Sequence, residues 1–102
     1  MIPEEMFNKP AKIIHYLGQN KYGVEQTKEY FGKIEKRNDK TKELTLKVIL
    51  LEEQYQKTPD FKRIIVKEQD INMSFAVIKS NAQNKQQLCY NFPIRGIKKW
   101  SV

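Results

Sequence analysis

His15 is the single histidine of this chain and Cys89 its single cysteine, and neither has a recognisable chemical partner nearby in the sequence. A nucleophile needs a base within reach, a metal needs several nitrogen, sulfur or oxygen ligands at characteristic spacing, and a phosphate cradle needs a glycine-rich loop. None of these patterns occurs. The adjacent acids Glu52 and Glu53 stand beside a polar stretch and do not form a placed acid–base pair. Catalysis is therefore not expected, nor is a cofactor or a metal. His15 and Cys89 read as structural residues, and a lone cysteine cannot close an internal disulfide.

The elements that could carry a binding function instead are small in number. At 102 residues the chain makes one domain with one modest core. With 39% hydrophobic and 30% charged residues and a mean hydropathy of -0.72, it reads as a folded chain with a wide solvated surface. No stretch approaches the ~20 apolar residues of a membrane span, and MIPEEMFNKP lacks the basic start and apolar centre of a signal peptide. No membrane partner and an intracellular location are expected.

The formal net charge of +7 is concentrated late in the chain. Residues 1–70 hold 14 basic against 12 acidic side chains, whereas 71–102 hold Lys79, Lys85, Arg95, Lys98 and Lys99 against no acid. Such a segment can attract phosphate or an acidic protein surface, or serve solubility. Tyr90, Phe92 and Trp100 interleave with these cations; the simplest reading makes the aromatics core or interface and the lysines solvated.

Ile13, Ile14 and Leu17, with Pro10 before them and Gly18 after, predict a short helix over 10–17. Val24, Thr27, Phe31 and Ile34 would also fit a helical face, but Gly32 interrupts it and RNDKTK offers turn residues. The alternation of Leu44, Leu46, Val48 and Leu50 then favours two antiparallel strands. A glycine inside a strand marks a bulge, a bend or a close approach, so Gly32 predicts a strongly curved sheet. FKRIIVK reads as a further strand, and Ile71, Met73, Phe75 and Val77 alternate along the next. Leu88 to Ile94 is a last strand, confined to an edge by Pro93. The fold expected is mostly β, a small curved sheet or barrel after one N-terminal helix.

Tyr30-x-Gly32-x-Ile34, a charged turn with Asp39, and Leu44-x-Leu46 resemble the first signature of the Sm and LSm family. Ile64, Ile65 and Val66, followed by Lys67, Glu68 and then Ile71, resemble its second. The resemblance implies a helix and five strongly bent antiparallel strands closed as a barrel, with residues 1–9 an N-terminal arm, 10–78 the Sm-like domain and 79–102 a basic C-terminal extension. RNA-binding members carry Asn after the conserved Asp and Arg-Gly after the fourth strand. Here those places read Lys40 to Glu43, and Lys67 with Glu68, so the resemblance implies no uridine pocket.

The chain is most similar to the Gemin-type Sm-like subunits of the SMN complex, which assembles Sm rings on spliceosomal RNA. That similarity implies a non-catalytic subunit, cytoplasmic and nuclear, forming a heterodimer with a second Sm-like protein within a larger complex. Strand edges over Ile64 to Lys67 and Ile71 to Ile78 would make the pairing, with Tyr90, Phe92 and Trp100 as further partner contacts. Lys67, Arg95, Lys98 and Lys99 would supply any weak RNA contact. The alternative, motivated by the net charge, is an RNA-binding LSm-type subunit in mRNA decay, decapping or RNA processing.

Overall fold

The computed structural model describes residues 2–72, 77–82 and 85–101, with the backbone alone considered for 77–82, 85–88 and 101. Seven strands form one sheet: β1 (Ala11–Gln19), β2 (Glu25–Asn38), β3 (Glu43–Leu50), β4 (Lys62–Lys67), β5 (Val77–Ala82), β6 (Lys85–Ile94) and β7 (Lys99–Ser101). Their order across the sheet is β5-β6-β1-β2-β3-β4-β7. β1 to β4 are a simple antiparallel meander, and the one parallel contact joins β6 to β1. The architecture is mostly β, as expected, but its sheet has seven strands and is open.

The helix expected over 10–17 is instead β1. Ala11 and Ile13 are buried while Leu17 is 56% exposed, so burial follows period two and the helical stripe through Leu17 has nothing to cover. The β-branched Ile13 and Ile14 also favour the extended form. Pro10 starts no helical turn; its carbonyl accepts the Tyr90 N–H at 3.1 Å. Gly18, at φ +95°, ends no helix either, because it lies where the β1–β2 register slips. Helical geometry among the described residues is limited to three-residue 3-10 turns, the first over Glu4–Met6.

The 30–46 region does form two antiparallel strands, β2 and β3. Their turn is fastened by Asn38, whose side-chain oxygen accepts the N–H groups of Lys40 at 3.0 Å and Thr41 at 3.2 Å. This is the Asx geometry that places Asn before a tight turn. Asp39 is exposed beside it.

One face of the meander is the core: Ala11 and Ile13 from β1, Tyr30 and Ile34 from β2, Leu44, Leu46 and Val48 from β3, Ile64 and Val66 from β4. Phe92 and Ile94 of β6 complete it, and Ile2 and Ile71 are buried in it as well. The division at residue 78 falls inside β5, and β6 lies between β5 and β1. Residues 85–94 are thus an interior strand of the same sheet.

Pro93 fits that interior position because the strand alternates. Tyr90 N–H points to Pro10 beside β1, whereas the Pro93 carbonyl accepts Asn72 N–H at 2.8 Å on the opposite side. The proline nitrogen faces that same opposite side, where β5 pairing has already ended at Val77↔Tyr90, and no β1 ladder bond is lost. An Ile71↔Ile94 bridge, and Arg95 N–H on Asp70 O at 2.8 Å, draw the chain after β4 back to β6. The open sheet is therefore curled upon its core.

Candidate strand-edge interface

β4 pairs with β3 along one side for all six of its residues, and its other side is met by the three residues of β7. Arg63↔Ser101, Ile64↔Trp100 and Ile65↔Lys99 are the pairs. The Ile65 carbonyl accepts Lys98 N–H at 2.9 Å, so the main chain of Ile65 is directed outward. Because N–H and C=O of one strand residue share a direction, Ile64 and Val66 serve the β3 ladder while Arg63, Ile65 and Lys67 serve the outer edge.

Two side chains of the tail reinforce this contact. The Lys98 ammonium is ion-paired with the Glu43 carboxylate, and the Trp100 ring lies 5.8 Å from that of Tyr30, tilted by 58°. The hydrogen bond from Lys98 holds the Glu43 carboxyl below its ordinary range, against the opposing effect of desolvation, with Lys67 adding attraction. Trp100 is 48% exposed, so its indole covers the core margin without entering it.

The residues expected to bind a partner fall into distinct places. Ile64, Val66, Ile71 and Phe92 are buried in the chain's own core, which leaves only their main chain for another molecule. Ile65 is half-buried on the opposite face, and Lys67 is exposed at the end of β4. Tyr90 is half-buried and stacks on Phe92 with ring centres 6.1 Å apart. Met73 and Phe75 lie outside the described residues, and Val77 opens β5, the outermost strand at the other end of the sheet.

Of the four expected RNA contacts, Lys67 and Lys98 both act on Glu43, while Arg95 and Lys99 are exposed around β7. A basic row that sequence reasoning missed lies elsewhere. Lys33, Lys47 and Arg63 stand directly opposite one another on β2, β3 and β4, across roughly 10 Å of sheet. Arg63 is neutralised by Glu35 at 2.8 Å, whereas among the described residues neither Lys33 nor Lys47 is ion-paired. Phe31 and Phe61 line one groove with these lysines, and Lys47 Nζ lies 5.3 Å from the Phe61 ring centre. The alternation in β2 and β3 carried this signal once their register was known.

Like charges directly opposite destabilise a sheet. Lys47→Thr is expected to raise stability by up to ~1 kcal/mol at low salt, with the gain shrinking as salt screens the row. Urea melts at two ionic strengths check it; a variant less stable than the parent at low salt would contradict it.

Glu68 is the buried acid of the molecule, 8% exposed. Its carboxylate accepts the Ile2 N–H at 3.0 Å and pairs with Arg37 at 2.7 Å, and Arg37 also donates to the Ile2 carbonyl. Arg37 in turn lies over the Phe7 ring, 5.2 Å from its centre. The acid that interrupts the expected Arg-Gly position therefore clasps the N-terminal segment to the end of β4.

His15 faces Lys28 across the β1–β2 ladder, and burial followed by that lysine's charge lowers its pKa. Burial raises the Cys89 thiol, the reverse of what activates a nucleophile. Among the described residues no group of three or more His, Cys, Asp or Glu side chains could hold a metal ion, and no helix is long and apolar enough to cross a membrane. No protein-family model matches the chain, and no curated protein or solved structure matches it.

Proposed function

We propose that this chain is a non-catalytic assembly subunit that joins a second β-protein by adding a strand at the outer edge of β4. One observation carries the reading: a six-residue strand whose buried side chains fix it in the core presents its outward main chain to a three-residue strand alone. Of the outward-facing residues, Arg63 and Ile65 are paired with β7 and Lys67 is not. An extended segment of another chain would therefore pair from Lys67 and take the place of β7, with main-chain hydrogen bonds supplying affinity. On the Sm-like resemblance, the partner is a second Sm-like protein and the setting an snRNP-assembly complex. The close approach of the β3 main chain to Gly32 and the 3-10 turn over Glu68–Asp70 after β4 support it, whereas the parallel β6 against β1 departs from the five-stranded antiparallel arrangement.

The test is the native mass of the tagged chain purified from its own cells, with hydrogen exchange read at the β4 amides. A 1:1 complex with a second small β-protein, in which the Ile65 amide is protected beyond its level in the isolated chain, is the expected result. A closed ring of identical copies would contradict it, as would a monomer in cells.

The Lys33–Lys47–Arg63 row favours RNA contact as a second reading, since cations beside aromatic rings suit single strands without base preference. Anisotropy titrations of uridine-rich and mixed oligonucleotides at two salt concentrations separate the readings. Salt-sensitive binding lost in Lys47→Thr supports RNA contact at this row, and binding unaffected by that substitution removes it.

A further inference from the structure

β7 is held to β4 by few interactions, and those few define what the edge accepts. Three residues pair with the strand, Lys98 N–H bonds the Ile65 carbonyl at 2.9 Å, a partly exposed ion pair joins Lys98 to Glu43, and one tilted ring contact joins Trp100 to Tyr30. Short outermost strands open locally at far lower cost than the core. The seat itself is well made. Tyr30 is 3% exposed, and with Val48, Leu50, Asp60 and Lys62 it forms a groove that Trp100 covers from one side. The connection between β6 and β7 is itself tethered, by Arg95 N–H on Asp70 O at 2.8 Å and by Ile97 packed against the core, so the part that can be displaced is the segment from Lys98 onward.

We propose that the outer edge of β4 is an anchor site for a partner strand of the form basic-x-aromatic, and that Lys98 and Trp100 are its stand-in, seated until such a strand displaces them. The proposal rests on the reading of β4 as the docking edge and adds the chemistry of what docks. An incoming strand longer than three residues would gain main-chain bonds at Lys67, beyond the reach of β7, while its aromatic side chain takes the Tyr30 groove and its cation takes Glu43. The tail lowers apparent affinity by the fraction of time it occupies the edge, which excludes strands lacking the anchor.

The probe is a fluorescein-labelled peptide, RGIKKWSV, copied from residues 95–102. The full-length Trp100→Ala chain should bind it at least ~10-fold more tightly than the parent, because its own stand-in is lost. Lys98→Glu opens the edge in a second way, by setting like charge against Glu43 without touching the core, and should act in the same direction. Glu43→Gln in the Trp100→Ala background should weaken binding several-fold, and a peptide with alanine for tryptophan should not bind. Equal binding by the parent and both opened chains, or none by any of them, overturns the proposal. If the alanine peptide binds an opened chain as well as the parent peptide does, the anchor is overturned while β4 stands as a docking edge. If Ile65→Pro then leaves partner association intact, the docking edge falls too.

Discussion

Gly32→Ala is expected to lower stability by ~3 kcal/mol or more, at or beyond the upper end of the cost of overpacking a core. Gly32 lies between Ala11 of β1 and Val48 of β3, where the β3 main chain approaches it closely. A Cβ built there would stand 2.8 Å from the Lys47 carbonyl carbon and 3.0 Å from Val48 Cα, and closer still to the Lys47 oxygen. These are main-chain atoms of a paired strand, so no side chain can rotate away. The neighbours must part, and the β2–β3 pairing around Gly32 is disturbed with them. Since domains of this size are stable by about 5–15 kcal/mol in total, the thermal midpoint should fall by more than ~10 °C. Circular dichroism melts measure it, with Gly96→Ala, which meets open space, as the control. An unchanged midpoint in Gly32→Ala would mean that β2 and β3 do not approach there.

Glu68→Gln is expected to cost about 3–5 kcal/mol, the range for breaking a buried ion pair and stranding one charge. Arg37 would be that charge; its side chain is 7% exposed, and among the described residues its Nε has no hydrogen-bond partner. The Ile2 N–H would also lose its ionised acceptor, loosening a residue fully buried in the core. Burial by itself would raise the Glu68 pKa, but the hydrogen bonds from Arg37 and Ile2, with the Arg37 charge, outweigh it and hold the carboxyl below its ordinary range. A carboxyl depressed in the folded state contributes stability that is complete above its unfolded value of about 4.3 and is lost as pH falls through the folded value. The parent should therefore lose stability on acidification below about pH 5, and Glu68→Gln should show a flatter acid limb. Parallel acid-limb slopes in denaturant titrations would show that Glu68 is not the linked group.

Much of the fold could be read where one signal dominated. The alternation in β3, the turn residues at 38–42 and the triplet Ile64 to Val66 each pointed one way, and the strands lie there. β1 could not be read so, because Ile13, Ile14 and Leu17 satisfy helical and extended periods alike; long-range pairing with β2 and β6 decides between them. The basic C-terminal residues looked like an appendage by charge, yet Phe92 and Ile94 complete the core from β6. Charge composition reports the solvent face of a strand and is silent about the other. The clasp of Glu68, Arg37 and Ile2 was invisible for a related reason: its members are 31 and 66 residues apart, and only the curl of the sheet brings them together.

The direct test of strand addition at β4 is Ile65→Pro compared with Val66→Pro, with association followed by size exclusion and fold by circular dichroism. Ile65 directs its main chain outward and Val66 directs its own to β3. Proline removes a donor from whichever side it serves. Ile65→Pro is expected to retain the β spectrum and a cooperative melt while the 1:1 complex disappears, and Val66→Pro to lose the fold itself by breaking the β3–β4 ladder. A folded Ile65→Pro chain that still forms the complex at parental strength would contradict the account.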